Sequence, residues 1–172
     1  MSRNTKIVVI TSAALVIAAA VLAWLNMGNV AERRALQESG TFIVEAGGGQ
    51  YAVSISDLEA IGPRVIEANY KTNLMPAVPK QYTGVSLANL LEYLGADITD
   101  AGNVRFFAAD GYVSVAPAAD ALDGEKCFIV YMESGNPLGT MESGGMGPYM
   151  AIFINDLYSQ RWCKYLLNVT VG

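Results

Sequence analysis

The chain has 172 residues, a formal net charge of −5 at neutral pH and no histidine, and 52% of its residues are hydrophobic. That length suits one ordinary domain with a short additional segment, but not two domains. The lack of histidine removes the most common general base and the most common metal ligand. The acidic balance disfavours nucleic acid as a partner, because a negative surface repels phosphates.

The first forty residues are predicted to form a membrane anchor and a tether. Residues 7–25 carry no charge. At about 1.5 Å rise per residue, a helix of that length crosses a hydrocarbon core of about 30 Å. The run is longer than that of a cleaved signal peptide and no good small-x-small site follows it, so we favour a retained anchor and a tether over residues 26–40. Arg3 and Lys6 place residues 1–6 in the cytoplasm, which puts the domain on the extracytoplasmic side of the cell membrane.

Residues 41–172 hold seven basic and fourteen acidic side chains and are predicted to form one domain. Thr41 to Val44 and Tyr51 to Ile55 flank a run of three glycines, which is typical of a hairpin. Ser56 and Glu59 have the spacing of a capping box, which predicts a short helix beginning at Ser56.

The next segment is predicted to be extended and then irregular. Residues 64–70 have strand character, whereas residues 71–81 contain Pro76 and Pro79 and are predicted to form no regular element.

A short amphipathic helix is predicted after the sequence YTGV at residues 82–85. Ser86 can cap it, and Gly95 can end it in a left-handed conformation. The apolar positions fall at helical spacing and form one face, namely Leu87, Leu90, Leu91 and Leu94.

The second half of the domain is predicted to consist mainly of strands. Asp110-Gly111 is a strong hairpin signal between two of them. The predicted strands are residues 104–108, 112–115, 127–132, 149–154 and 165–171. Strands and helices do not alternate as in a doubly wound sheet, so the predicted class is α+β and rich in β.

Three motifs, in this order, resemble those of a known family. They are YTGVSL at 82–87 with the leucines that follow, ADGY at 109–112 with FIVY and GNPL after it, and the glycine loop 144–148 with RWCK at 161–164. This order resembles the oxidoreductase molybdopterin-binding domain, the fold of sulfite oxidase and of bacterial molybdenum-dependent sulfoxide reductases. The resemblance covers residues 41–172 and implies a sulfite oxidase-like fold.

The resemblance also implies a site. In that family a cysteine thiolate before the aromatic turn binds molybdenum, and here Thr72 stands at the matching position between Lys71 and Asn73. Threonine is a poor molybdenum ligand, because its hydroxyl does not ionise near neutral pH. Arg161 and Lys164 match basic positions that resemble the family's contacts to the pterin phosphate. These five residues are the predicted ligand- or cofactor-binding residues, with edge-strand charges as the alternative interpretation of the two cations.

These departures favour a non-catalytic, membrane-anchored module that binds a small anionic ligand or assists a membrane redox protein. No catalytic residue or metal ligand is predicted. The alternative is a molybdopterin-dependent oxidoreductase in which Thr72 or water supplies an oxygen ligand. A second alternative is a Cu(I)-binding protein, since four thioethers fall within nineteen residues, namely Met132, Met141, Met146 and Met150.

Cys127 and Cys163 are the two cysteines of the chain. An extracytoplasmic address permits a disulfide between them. Free cysteine is also among the most buried residue types, so two separate buried thiols are the other interpretation. The sequence leaves both open.

Overall fold

The computed structural model describes residues 2–72, 75–156 and 159–172, and for residues 3, 4, 6–8, 25–34, 37, 72 and 75 it describes the backbone alone. The chain divides into two compact units, residues 1–35 and 36–172. Helix α1 spans Arg3–Ser39 and contains the apolar run. Within the described part of the chain, no helix is both long enough and apolar enough to cross a membrane. The predicted anchor includes residues whose side chains are not described, and it stays a prediction.

The described residues after α1 form two five-stranded sheets. Sheet A has the strand order β2-β1-β10-β5-β6, and β1 pairs with β10 in parallel. Its strands are β1 (Thr41–Ala46), β2 (Gly49–Ser54), β5 (Asn103–Ala108), β6 (Val113–Pro117) and β10 (Leu166–Val171). In sheet B, β3 pairs with β4 and β4 with β7, while β8 and β9 both pair with β7. Its strands are β3 (Arg64–Thr72), β4 (Met75–Ser86), β7 (Cys127–Glu133), β8 (Asn136–Pro137) and β9 (Met150–Phe153).

Short helices connect the strands, so the fold is mixed and β-rich, as the sequence predicts. They are α2 (Ile55–Ile61), α3 (Leu87–Tyr93), α4 (Ala118–Ala121) and a single 3₁₀ turn at Ser159–Arg161.

One hydrophobic core contains residues of both sheets. Side chains of β1 alternate between half-buried and buried, as expected when one sheet face packs against the core. Phe106 of β5 meets Phe153 of β9 edge to face, with ring centroids 5.7 Å apart. Strands β7 and β9 are almost entirely buried, which explains their continuous apolar sequences.

Helix α3 confirms the prediction made from its leucine spacing. Ser86 Oγ accepts a hydrogen bond from the Asn89 backbone N–H at 3.2 Å. Gly95 has φ 63° and follows the last turn in the left-handed conformation. Three of the four predicted leucines are fully buried, and Leu94 packs against the core.

Helix α2 begins earlier than predicted, so the assignment of Ser56 as its cap is wrong. The N-cap is Ser54, and Asp57 is the third helical residue. Asp57 Oδ2 accepts hydrogen bonds from the Ser54 N–H at 2.8 Å and from Ser54 Oγ at 2.6 Å. Ser54 and Asp57 have the same spacing as Ser56 and Glu59, and only the end of β2 at Ser54 decides between the two pairs.

The prediction that residues 71–81 form no regular element is also wrong. Pro76 and Pro79 lie within β4. The Gln81 carbonyl accepts from the Ser134 N–H at 2.8 Å, so Gln81 faces β7. Pro79 lies two residues before Gln81, so its nitrogen points to the same edge of β4. The pairing with β7 does not extend to Pro79, and therefore no backbone N–H donor is needed there. Pro76 lies where the β3–β4 register shifts.

Candidate functional site

An open groove of about 590 Å³ lies beside the chain that leads into β10. We call it the aromatic groove, and it is lined by Tyr70, Asp110, Tyr112, Ser159, Gln160, Trp162 and Lys164. The lining comes from the end of β3, the β5–β6 turn and the 3₁₀ turn with the residues after it. Three distant parts of the sequence therefore build one surface.

Lys164 is the cation of the aromatic groove. Its Nζ donates a hydrogen bond to the Tyr70 hydroxyl at 2.9 Å and lies 5.0 Å from the centroid of the Tyr70 ring. The Tyr70 ring in turn packs against Trp162 at 5.7 Å between centroids. The Lys80 ammonium also lies near the Tyr70 ring, 5.4 Å from its centroid. It is already paired with the Glu133 carboxylate at 2.5 Å.

The β5–β6 turn supplies Asp110 and Tyr112 to the lining. Asp110 Oδ1 accepts from the Tyr112 N–H at 2.9 Å, and Gly111 takes φ 89°, which favours glycine. The Tyr112 hydroxyl donates to the Gln160 carbonyl oxygen. These contacts hold a half-exposed phenol ring at the edge of the aromatic groove.

The end of β3 is attached to the 3₁₀ turn by hydrogen bonds. The Lys71 backbone N–H donates to Ser159 Oγ at 2.9 Å, and Ser159 Oγ donates to the Asn69 carbonyl oxygen at 3.3 Å. Lys71 is thereby placed next to a lining residue. Asn73 and the side chain of Thr72 lie outside the described residues, and their predicted roles stay predictions.

Arg161 does not line the aromatic groove. Its guanidinium is held by Asp156 at 2.6 Å and 2.8 Å and by Asp120 at 3.0 Å, and it lies 4.4 Å from the centroid of the Phe153 ring. The bonds from Asp156, opposed in part by burial, and those from Asp120 raise the pKa of Arg161 above its usual value. Of the two predicted cations, the structure brings only Lys164 to the groove.

Cys127 and Cys163 are separate buried thiols. They lie on opposite edges of β9, where Cys127 is registered with Phe153 and Cys163 with Ala151. Burial raises the pKa of both, that of Cys163 to about 12 with a smaller effect from Asp110. Both are therefore protonated at neutral pH, and neither lines the aromatic groove.

The residues present do not fit the molybdenum ligation of the resembled family. The chain has no third cysteine and no histidine. Among the described residues, no cluster of three or more Cys, Asp or Glu side chains is placed to hold a metal ion.

The four methionines of the copper alternative occupy different environments. Met150 is fully buried in β9, and Met132 and Met146 pack against the core. Met141 is 37% exposed. A common thioether site would need these side chains to converge, and their burial gives no support for it.

Tyr82, the first residue of the YTGV motif, is fully buried. Its ring meets Trp162 edge to face at 5.7 Å. Among the side chains that the structure describes, its hydroxyl is a buried polar group with no hydrogen-bond partner. Burial, with smaller effects from Glu133 and Tyr70, raises the pKa of this phenol. The motif therefore supports the groove from beneath, through Trp162.

The sequence predicts Lys164 as a binding residue, and this role stays a prediction, whereas the aromatic residues around it were not predicted. Two of these aromatic residues lie close in sequence to predicted features, and this could have pointed to them. Trp162 stands two residues before Lys164, and Tyr112 follows the predicted turn Asp110-Gly111 directly. Tyr70 has no such neighbour in the sequence, because it reaches Lys164 only where the end of β3 packs against the 3₁₀ turn.

No family model matches this chain, and no curated protein matches it. Among solved structures, it is similar to the sulfane dehydrogenase SoxCD from Paracoccus pantotrophus, with a TM-score of 0.64 and 13% sequence identity. The match covers 79% of this chain and 38% of that one, so this chain spans well under half of its length. At this identity the likeness shows the fold alone. It supports a distant likeness to the molybdopterin oxidoreductase fold.

Proposed function

We propose that residues 36–172 form a ligand-binding or redox-accessory module that keeps a molybdopterin oxidoreductase-like fold without the family's metal ligation. One observation carries the proposal. The aromatic groove has a cation and three aromatic residues but no thiolate, since both cysteines are buried as thiols around β9.

The groove is suited to a small anion that carries a planar group. Lys164 can form a charge-assisted hydrogen bond with an anionic oxygen. Tyr112, which is exposed, and Tyr70, which is half-buried, offer ring surface for a flat ligand, whereas Trp162 is buried behind them. Asp110, also in the lining, disfavours a ligand with a second negative charge on that side.

Acid–base or nucleophilic catalysis has little support in this groove. The Asp110 carboxylate already accepts a hydrogen bond from its own turn. Ser159 Oγ donates to a backbone carbonyl and accepts from Lys71. A serine nucleophile needs an adjacent base, and the described lining provides no such pair.

Metal and pterin analysis of the purified full chain tests the non-catalytic part of the proposal. We expect far less than one molybdenum per chain and no pterin fluorescence after oxidation. Stoichiometric molybdenum with pterin would overturn this part and support the oxidoreductase alternative.

Binding is tested with Trp162 fluorescence in a Trp24→Phe background, which leaves Trp162 as the reporter. We expect 4-hydroxybenzoate to quench it, and benzylamine and sulfate to quench it much less. Lys164→Gln should raise the Kd of 4-hydroxybenzoate at least about tenfold, which corresponds to ~1.4 kcal/mol of binding free energy. Lys126→Gln is the matched control, because Lys126 lies in surface ion pairs with Asp120 and Asp123. Equal quenching by all three probes would contradict an anion site at Lys164.

The proposal includes the predicted placement on the extracytoplasmic side of a membrane and a membrane redox protein as partner. The apolar run at residues 7–25 and the basic residues before it support the placement. The fold likeness to an oxidoreductase is what supports a redox partner.

A further inference from the structure

The outer face of sheet A, which points away from the core, carries two parallel rows of side chains. Strand registry defines them, from β2 across to β6. The apolar row is Ala52, Ile43, Phe107 and Val113 with the polar Asn168 at its centre. The charged row holds Glu45 and Arg105 together with the uncharged Gln50, Thr170 and Val115. All ten are exposed or half-buried.

Glu45 is held in place within the charged row. Its carboxylate accepts hydrogen bonds from Asn168 Nδ2 at 3.1 Å and Thr170 Oγ1 at 3.2 Å, with Gln50 Nε2 at 3.4 Å. A concavity of about 380 Å³ opens beside it, lined by Glu45, Gln50 and Thr170 with backbone from the β1–β2 turn and from β10. All three donors are neutral, so the negative charge is positioned but not compensated.

Arg105 is the positive charge of the same row. It is exposed and is registered with Thr170, which is registered with Glu45. Two strand spacings therefore separate Arg105 from Glu45, about 10 Å between their backbones. Among the ion pairs of the described residues, neither of these two side chains takes part. A cation and an anion thus stand uncompensated on one face.

We propose that this face binds a second copy of the same chain about a two-fold axis parallel to β10. Such an axis places β5 of one copy over β1 of the other, and β10 over β10. Arg105 of each copy then enters the concavity beside Glu45 of the other. In the apolar row, Ile43 meets Phe107 and Ala52 meets Val113.

The matching of both rows is what favours a second copy over an unrelated partner. A two-fold interface requires that each residue find its complement on the same surface. The charged row supplies a cation and an anion at equal distances from β10, and the apolar row supplies apolar residues at both ends. Val113 and Val115 are 44% and 53% exposed on an edge strand without charges. About the proposed axis, Val113 meets Ala52 and Val115 meets Gln50 of the other copy.

Five strands of about six residues, at about 4.8 Å spacing and about 3.3 Å rise per residue, give a face of about 20 Å by 20 Å. Two such faces bury roughly 800 Å², which is less than a standard specific interface, so we expect a weak dimer. Because the contact includes two ion pairs, it weakens as salt rises.

Sedimentation velocity of the full chain in a non-ionic detergent, over a concentration series up to about 200 µM, tests the dimer. We expect Arg105→Glu and Glu45→Arg each to weaken association at least about tenfold, and the double exchange to restore it. Glu92→Arg, an exposed helix residue with the same charge change, should leave association unchanged.

Glu45→Gln removes the charge with little change in shape, since its amide can donate to Thr170 Oγ1 while the Thr170 hydroxyl donates to Asn168 Oδ1. It serves if Glu45→Arg does not fold, which circular dichroism will show. Glu45→Gln should also weaken association. A chain that stays monomeric throughout the series overturns the proposal. So does a dimer that responds to neither Arg105→Glu nor Glu45→Gln, since a dimer held by α1 would behave that way.

Discussion

The buried phenols Tyr149 and Tyr82 differ in whether the hydroxyl has a hydrogen-bond partner. Tyr149 donates to the Gly40 carbonyl oxygen at 2.6 Å, and burial raises its pKa to about 12, whereas the Tyr82 hydroxyl has no partner among the described residues. Removing a bonded buried hydroxyl costs about 1–2 kcal/mol, whereas removing an unsatisfied one is neutral or stabilising. We therefore expect Tyr149→Phe to lower the free energy of unfolding in urea and Tyr82→Phe to leave it equal or higher. A Tyr82→Phe loss as large as that of Tyr149→Phe would show that the Tyr82 hydroxyl has a partner.

The first turn of α2 gives a pH-dependent prediction. Hydrogen bonds from Ser54, side chain first and backbone second, hold the pKa of Asp57 below its usual range. A carboxyl group whose pKa is lower in the folded state than in the unfolded state stabilises the fold at any pH above its unfolded-state pKa, about 4. That stabilisation is lost as the pH falls through the folded-state pKa. Asp57→Ala should lower the free energy of unfolding by about 1 kcal/mol at pH 7 and by less in acid.

Glu59→Ala is the control for this cap, because the sequence offered Glu59 as the capping partner. Urea unfolding of Glu59→Ala should match wild type at pH 7. If Glu59→Ala were the more damaging change, α2 would begin at Ser56 after all.

Gly84 is required by the close approach of two strands. A Cβ atom built there would lie 2.2 Å from the Ile129 carbonyl oxygen and 2.6 Å from the Val130 Cα. Both are backbone atoms of β7, so Gly84→Ala should destabilise by several kcal/mol or prevent folding. At Gly102 the nearest atom is 3.9 Å away, so Gly102→Ala should be tolerated. Thermal melting of the two variants compares them, and equal melting temperatures would contradict the account.

At the scale of elements, short sequence patterns correctly predicted the elements that depend on interactions between neighbouring residues. The leucine spacing of α3 and the Asp110-Gly111 turn were sufficient, because each acts within a few residues. Pro76 and Pro79 led to a wrong prediction, since only the position of β7 shows that Pro79 needs no hydrogen bond there. The groove could not be predicted for the same reason, as the contact of Tyr70 with Lys164 depends on how the end of β3 packs against the 3₁₀ turn.

Both thiols are buried, one on either side of β9. Since burial raises the pKa of Cys127 and of Cys163, we expect neither to react with a disulfide reagent such as DTNB at pH 8 in the folded chain. Two thiols per chain should react once urea unfolds it. A rapid reaction without urea would contradict the burial, and a non-reducing mass two daltons low would reveal a disulfide.

For the whole molecule, the open prediction concerns residues 7–25. If they anchor the chain, the protein should remain in the membrane fraction after alkaline carbonate extraction, and alkaline phosphatase fused after residue 172 should be active. Replacing two apolar residues of the run, Leu15 and Val16, with aspartate should release the protein. Release of the unaltered chain by carbonate would remove the anchor from the proposal.

The position of β10 governs when the domain can be completed. It lies between two locally formed hairpins, β1–β2 and β5–β6, and is registered with both β1 and β5. More than a hundred residues separate β10 from β1, so their pairing has a high entropic barrier. A chain that emerges amino end first, from a ribosome or through a translocation channel, holds two disconnected hairpins until residues 166–171 arrive. Sheet A is therefore completed only after residues 166–171 have been synthesised.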